Sequence, residues 1–181
     1  CDAGADTWKH ICYTYDGTNA SIYSDGQLAA GPANIELNTV QGSAWLGTTA
    51  DRAWPFSGAL DDFRVYNIAL SGDQIASLYE RGLTNAEQNL VLRYSFEDEF
   101  TPPPQNVVVQ EDKSGHGNNA TCTNCPAWIS NGKYGGAYSF ANDGKSLSFD
   151  GWNSALPNGH DPPFTVCTWA TNNNYDSGMQ L

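Results

Sequence analysis

The chain has 181 residues, with eight Lys and Arg against twenty Asp and Glu, and its net charge of −12 repels phosphate backbones and anionic membrane surfaces. No apolar run approaches the roughly 20 residues of a membrane-spanning helix, so neither nucleic acid nor membrane insertion suits it. A composition poor in Lys and Met and rich in Asn, Thr, Gly and aromatics is that of many secreted all-β proteins, and a chain of this length buries about 70% of its unfolded surface in one medium sandwich.

Residues 8–15 alternate, with Ile11, Tyr13 and Tyr15 on one face and His10, Cys12 and Thr14 on the other, the period of a half-buried strand. Asp16-Gly17 turns the chain into a partner strand over residues 20–24, and Asp25-Gly26 turns it again; short strands separated by Asp-Gly are a strong hairpin signal. Further strands are expected at 34–39, 43–48 and 59–66. Residues 71–81 read as the one helix: Ser71 is its N-cap, Asp73 sits in the first turn, Ile75, Leu78 and Tyr79 form an apolar stripe, and Gly82 follows the end. So short a helix cannot stand alone, and its stripe must lie on the sandwich. Residues 83–90 form a polar connector. The second half opens with a strand at 90–96, crosses Pro102-Pro103-Pro104, and returns in strands near 106–110, 136–141, 145–149 and 164–170.

Five cysteines (Cys1, Cys12, Cys122, Cys125 and Cys167) are an odd number, so in an oxidising compartment at least one is free, modified or paired outside the chain. Cys122-Thr-Asn-Cys125 suits a disulfide within or from its own loop; the zinc alternative lacks a second Cys-x-x-Cys. Cys12 and Cys167 fall in expected strands at the polar-facing phase, where a cross-strand pair competes with two buried thiols. Cys1 is expected to pair with a cysteine of its own or an adjacent unit, the alternative being the lipid-bearing first residue of a bacterial lipoprotein.

Strict alternation through Leu60 to Tyr66 puts Asp61 on the face of Phe63 and Val65, and Asp62 on the opposite face with Arg64. A carboxylate among apolar neighbours is costly unless paired or metal-bound, and calcium, which takes several oxygen ligands, is the natural partner. The alternative is that Asp61 accepts backbone hydrogen bonds and Asp112 starts a turn. No Ser-His-Asp or Cys-His arrangement and no phosphate-cradling glycine loop is present. Trp54, Trp128 and Trp152 lie in turn-rich segments where a ring could stack on a sugar or cap the core, so no sugar site is assigned. Asn19-Ala-Ser21 and Asn119-Ala-Thr121 are N-glycosylation sequons.

Three segments closely resemble, in family order, the last strands and trailing helix of the LamG-like (laminin G-like, concanavalin A-like lectin/glucanase) superfamily. They are Trp8-Lys-His10-Ile-Cys-Tyr-Thr-Tyr15-Asp16-Gly17, Ser21-Ile-Tyr23-Ser-Asp25-Gly26, and Phe56 through Tyr66 with the helix after it. The segments that resemble the family's opening stand downstream: Leu92 to Phe96, Asp112-Lys-Ser-Gly-His-Gly-Asn118, Gly132 to Phe140, and Phe164 to Trp169. The halves are thus in reversed order. The resemblance implies an all-β, concanavalin A-like jelly-roll β-sandwich of two antiparallel sheets with one short helix. Residues 1–82 are then the C-terminal half, 83–90 the connector and 90–181 the N-terminal half. It also implies a calcium ion where the last strand meets the opening one, with Asp61, Glu97, Asp112 and Asn118 as ligands. Relatives that hydrolyse polysaccharides use two carboxylates on a central strand. Glu97 and Glu99, the only acidic pair of strand period, sit instead at a strand exit, so no enzyme activity is expected.

Reversed halves permit a closed permutant, one unit of a tandem array, or a subunit that exchanges halves. A half-sandwich exposes sheet edges and an apolar face, so the last two imply head-to-tail contact with copies of itself. The resulting expectation is an extracellular or cell-surface structural or adhesive module in a repeat array or filament. The alternative is a calcium-dependent carbohydrate-binding module of a larger secreted enzyme or adhesin.

Overall fold

The computed structural model describes residues 7–39, 42–49, 51, 53–82, 84–98, 108–149, 159–160 and 162–172. In chain order the elements of the first half are β1 (Lys9–Tyr15), β2 (Asn19–Ser24), β3 (Gln27–Asn34), β4 (Asn38–Thr39), β5 (Ala44–Leu46), β6 (Ser57–Tyr66) and helix α1 (Gly72–Arg81). A 3-10 turn at Glu87–Asn89 leads to β7 (Leu90–Tyr94), β8 (Val108–Gln110), β9 (Ala120–Thr121), β10 (Ala127–Ile129), β11 (Ala137–Ala141), β12 (Leu147–Phe149), β13 (Gly159–His160) and β14 (Phe164–Ala170).

An eight-stranded antiparallel sheet in the order β10-β11-β6-β14-β1-β2-β3, with β7 also paired to β6, packs against a four-stranded sheet in the order β5-β12-β9-β8. The core between them is aromatic: Phe63 stacks on Tyr94, Tyr94 meets Phe149 edge-on, and Phe96 meets Tyr138 edge-on. Six ladders join the two halves of the chain, pairing β1 and β6 with β14, β6 with β7 and β11, β5 with β12, and β4 with β13. The disulfide Cys12–Cys167 crosses the β1–β14 ladder, and Cys122–Cys125 closes its own loop. Cys1 lies outside the described residues.

The helix forms as its ends dictate. Ser71 and Gln74 make a reciprocal capping box, and Gly82 closes the other end in the left-handed region with its N–H on the Leu78 carbonyl. Ile75 and Leu78 then bury against Cys12, Tyr66, Leu70 and Cys167 on the outer face of the large sheet. The expectation that His10, Cys12 and Thr14 face the polar side is therefore corrected: all three are buried, because α1 builds a second, smaller core over that face.

The strand expected at 34–39 is replaced by β3 and the short β4. The Ala- and Gly-containing run of β3 carries no apolar alternation, and all eight of its residues are exposed. This strand is one edge of the large sheet, and its ladder to β2 is broken by register shifts, one of them around Gly31 and Pro32. The short strands β9 and β10 were not expected, being too brief to show a period. The strand expected at 90–96 ends at Tyr94.

Candidate functional site

Strand β6 changes partners halfway. Along one edge, Ser57–Leu60 pairs with β11 and Phe63–Tyr66 pairs with β7, so Asp61 and Asp62 face a gap between the two. On the other edge the ladder to β14 runs from Arg64↔Cys167 to Asp61↔Trp169, three residues against two, which marks a bulge. Asp62 sits there with φ 47°.

The bulge overturns the strict alternation read from sequence. Leu60, Phe63 and Val65 share the inner core, whereas Asp61 lies opposite Trp169, whose ring packs on His10 and Tyr79 beneath α1. Asp61 is thus on the outer face, not with Phe63 and Val65. Asp62 does lie with Arg64, as expected. Arg64 Nε and Nη2 donate to Asp62 Oδ2 at 3.0 and 2.8 Å, and Arg93 Nε donates to Oδ1 at 3.0 Å. Arg64 Nη1 lies 3.7 Å from Glu87 Oε1, so this buried charge is paired on two sides.

Asp61 has no solvent exposure. Its Oδ2 accepts the Tyr134 N–H at 2.9 Å, while Oδ1 has no hydrogen-bond partner. Burial, with the charges of Asp62 and Glu97 adding to it, pushes the Asp61 carboxyl up to about 6. Glu97 Oε2 accepts the Gly136 N–H at 3.3 Å, so one glycine turn presents alternate amides to two carboxylates. Gly135 between them has φ 136°, and a Cβ there would stand 2.1 Å from Glu97 Oε2.

Asp112 and Asn118 form a separate group. Asp112 Oδ1 accepts the N–H groups of Arg93 and Ser114, and Oδ2 accepts the Ser114 hydroxyl and the Asn118 N–H. Burial opposes ionisation of Asp112, but these donors outweigh it and hold the carboxyl below the usual range. Asn118 Nδ2 donates to the Val91 carbonyl, and the Tyr94 hydroxyl donates to the Asn118 carbonyl. The four expected calcium ligands therefore fall into two pairs. The orphaned Oδ1 of Asp61, near Glu97, is the oxygen a cation would satisfy, whereas both oxygens of Asp112 already hold the loop together. Among the described residues the only cluster of three metal-binding side chains is His10, Cys12 and Cys167, and there the two sulfurs are bonded to each other.

Trp54 is 78% exposed, as a stacking ring would be. Trp128 lies in β10 rather than a turn and donates its Nε1–H to the Phe96 carbonyl at 2.9 Å, a structural role. Trp152 and Glu99 lie outside the described residues. Of the sequon residues, Asn19 opens β2 and Asn119 is exposed, its Oδ1 accepting the Asp112 N–H at 2.9 Å.

Above the gap in β6 is a cleft of about 250 Å³, with Arg64, Arg81, Arg93, Ser95, Glu97 and Tyr134 in its walls and Asp62 at its side. Arg81, Arg93 and Tyr134 were missed in the sequence. The one available signal was that an acidic chain with four arginines places one of them in each element around the gap, β6, α1 and β7.

Residues 2–76 match the family model of the concanavalin A-like lectin/glucanases superfamily. This first part of the chain is similar to that superfamily, and the mostly β, two-sheet architecture is consistent with a concanavalin A-like β-sandwich. The matched stretch runs from before β1 into α1, and the second half supplies the strands that complete the sandwich. No curated protein and no solved structure matches the chain. Among the described residues no helix is long and apolar enough to cross a membrane.

Proposed function

We propose that the chain is an extracellular adhesive module that works as one closed sandwich, binds glycans and does not hydrolyse them. The observation that carries this reading is the pairing of both halves within a single chain, through six ladders and a buried cross-strand disulfide. It favours a closed module over a subunit that lends half its sandwich to a neighbour. Disulfides suit an oxidising, extracellular setting. The absence of turnover in this reading is supported by the acids on the central strand, since Asp62 is held between Arg64 and Arg93 and Asp61 is sealed from solvent, leaving neither as a free acid or base. Calcium belongs to the reading as a structural ion on Asp61 and Glu97, where it would neutralise a buried carboxylate.

The test is native mass together with retention on immobilised polysaccharides, with and without a calcium chelator. A monomer near 19.6 kDa that is retained without releasing sugar supports the proposal. Filaments in the electron microscope, or a monomer retained on no polysaccharide, would overturn it.

A further inference from the structure

We propose that the cleft beside the gap in β6 is a site for an acidic sugar, a uronic acid unit of a polysaccharide, with Arg81 and Arg93 binding its carboxylate and Tyr134 forming its platform. This rests on the reading of the chain as a glycan-binding module and names the chemical class it takes.

The charge distribution gives the first argument. In a chain of net charge −12, three of the four arginines line this one cleft, against two carboxylates, Asp62 and Glu97. A positive recess on an otherwise repulsive surface draws an anionic group to one place.

The second argument is which cationic atoms are spoken for. Arg64 is 3% exposed; its Nε and Nη2 are bonded to Asp62, and its buried Nη1, which has no hydrogen-bond partner, lies 3.7 Å from Glu87 Oε1. Arg93 bonds Asp62 through Nε, is 36% exposed, and its terminal nitrogens have no partner among the described residues. Arg81, on the last turn of α1, is exposed and makes no hydrogen bond or ion pair among the described residues. Two guanidinium forks are thus available, and a planar carboxylate is the group they fit. Arg93 is also held in place, since Asp62 fixes its Nε edge and Arg64 fixes Asp62; a ligand need not order it first.

The rest of the wall suits a sugar. Tyr134 is 48% exposed, and its ring is pinned edge-on to Trp169 at 5.8 Å between centroids, so its free face is fixed in direction. Ser95 offers a hydroxyl to the sugar hydroxyls. The volume, about 250 Å³, lies just below the range of drug-sized ligand sites and suits one ring with its carboxylate.

The experiment titrates the monomeric protein with tri-galacturonate, its fully methyl-esterified form, a sulfated trisaccharide and a neutral trisaccharide, followed by calorimetry. Tri-galacturonate should bind at least about tenfold more tightly than its ester, which differs only in losing the charge. Arg81→Gln should cost about tenfold in affinity with a nearly unchanged melting temperature, because Arg81 bonds to no other described residue and only its charge at the helix end is lost. Tyr134→Ala should weaken binding and Tyr134→Phe should restore it. Equal binding of acid and ester, an Arg81→Gln variant that binds like the parent, or tighter binding of the sulfated probe would each overturn the uronic acid site. Binding of the neutral sugar with no acidic preference overturns this site and leaves the glycan-binding module standing; binding of none of the four removes both.

Discussion

At Asp62 a left-handed backbone and two guanidiniums meet. Asp62→Ala would strip Arg64 of its closest acceptor inside the protein, and a broken buried pair costs about 3–5 kcal/mol. Urea denaturation should therefore show a larger loss for Asp62→Ala than for any change at Asp61. Asp61 behaves in the opposite sense. Its carboxyl titrates at about 6 in the folded protein against 3.8 ordinarily, so the native state holds the proton more tightly and stability falls as pH rises from about 4 to 6. His10 opposes this. Burial, and next the Arg64 charge, push its imidazole down to about 4 from 6.5, so its contribution rises over nearly the same interval. Asp61→Asn keeps an acceptor for the Tyr134 N–H and discards the buried charge. In chelator at about pH 7.5 it should melt about 2–4 °C higher than the parent, the shift that 1 kcal/mol gives at this chain length, and its stability should climb more steeply between pH 4 and 6. Millimolar calcium should raise the parent to match the variant; melting curves indifferent to calcium would remove the ion from Asp61.

Helix α1 was legible because its signals are local: Ser71, Asp73 and Gly82 lie within a dozen residues and each acts on the backbone beside it. Its consequence for β1 was not legible. That His10, Cys12 and Thr14 are buried depends on where the helix lands, and nothing in the alternation of residues 8–15 encodes a second layer. The phase of Asp61 failed for a related reason, since a bulge adds one residue to a strand without altering its apolar pattern. Arg81, Arg93 and Tyr134 come from a helix end, a strand and a glycine turn, so only the topology of the sheet brings them to one cleft. The helix prediction is direct: Ser71→Ala removes the acceptor of the Gln74 N–H and should cost about 1 kcal/mol, and Leu78→Ala, emptying the small core, about 2–5 kcal/mol, both read from chemical denaturation.

For the molecule as a whole the two disulfides are unequal. Cys12–Cys167 joins residues 155 apart, so on a chain-entropy account it restrains the unfolded chain by about 5 kcal/mol, whereas Cys122–Cys125 spans three residues and restrains little. Replacing Cys12 and Cys167 together by Ala should lower the melting temperature strongly, and the same change at Cys122 and Cys125 only slightly. The all-β class and the partnership of the two halves were legible from the motifs at Trp8–Gly17 and Phe56–Tyr66, and the pairing of β6 with β7 sets the opening strand of the second half beside the last strand of the first. The open border of the large sheet carries a different consequence. At β3 the ladder is interrupted by a bulge at Gly31 and Pro32, and the proline offers no N–H to an incoming strand. A second copy arriving there meets an interrupted row of backbone donors, which disfavours sheet-to-sheet pairing along this edge.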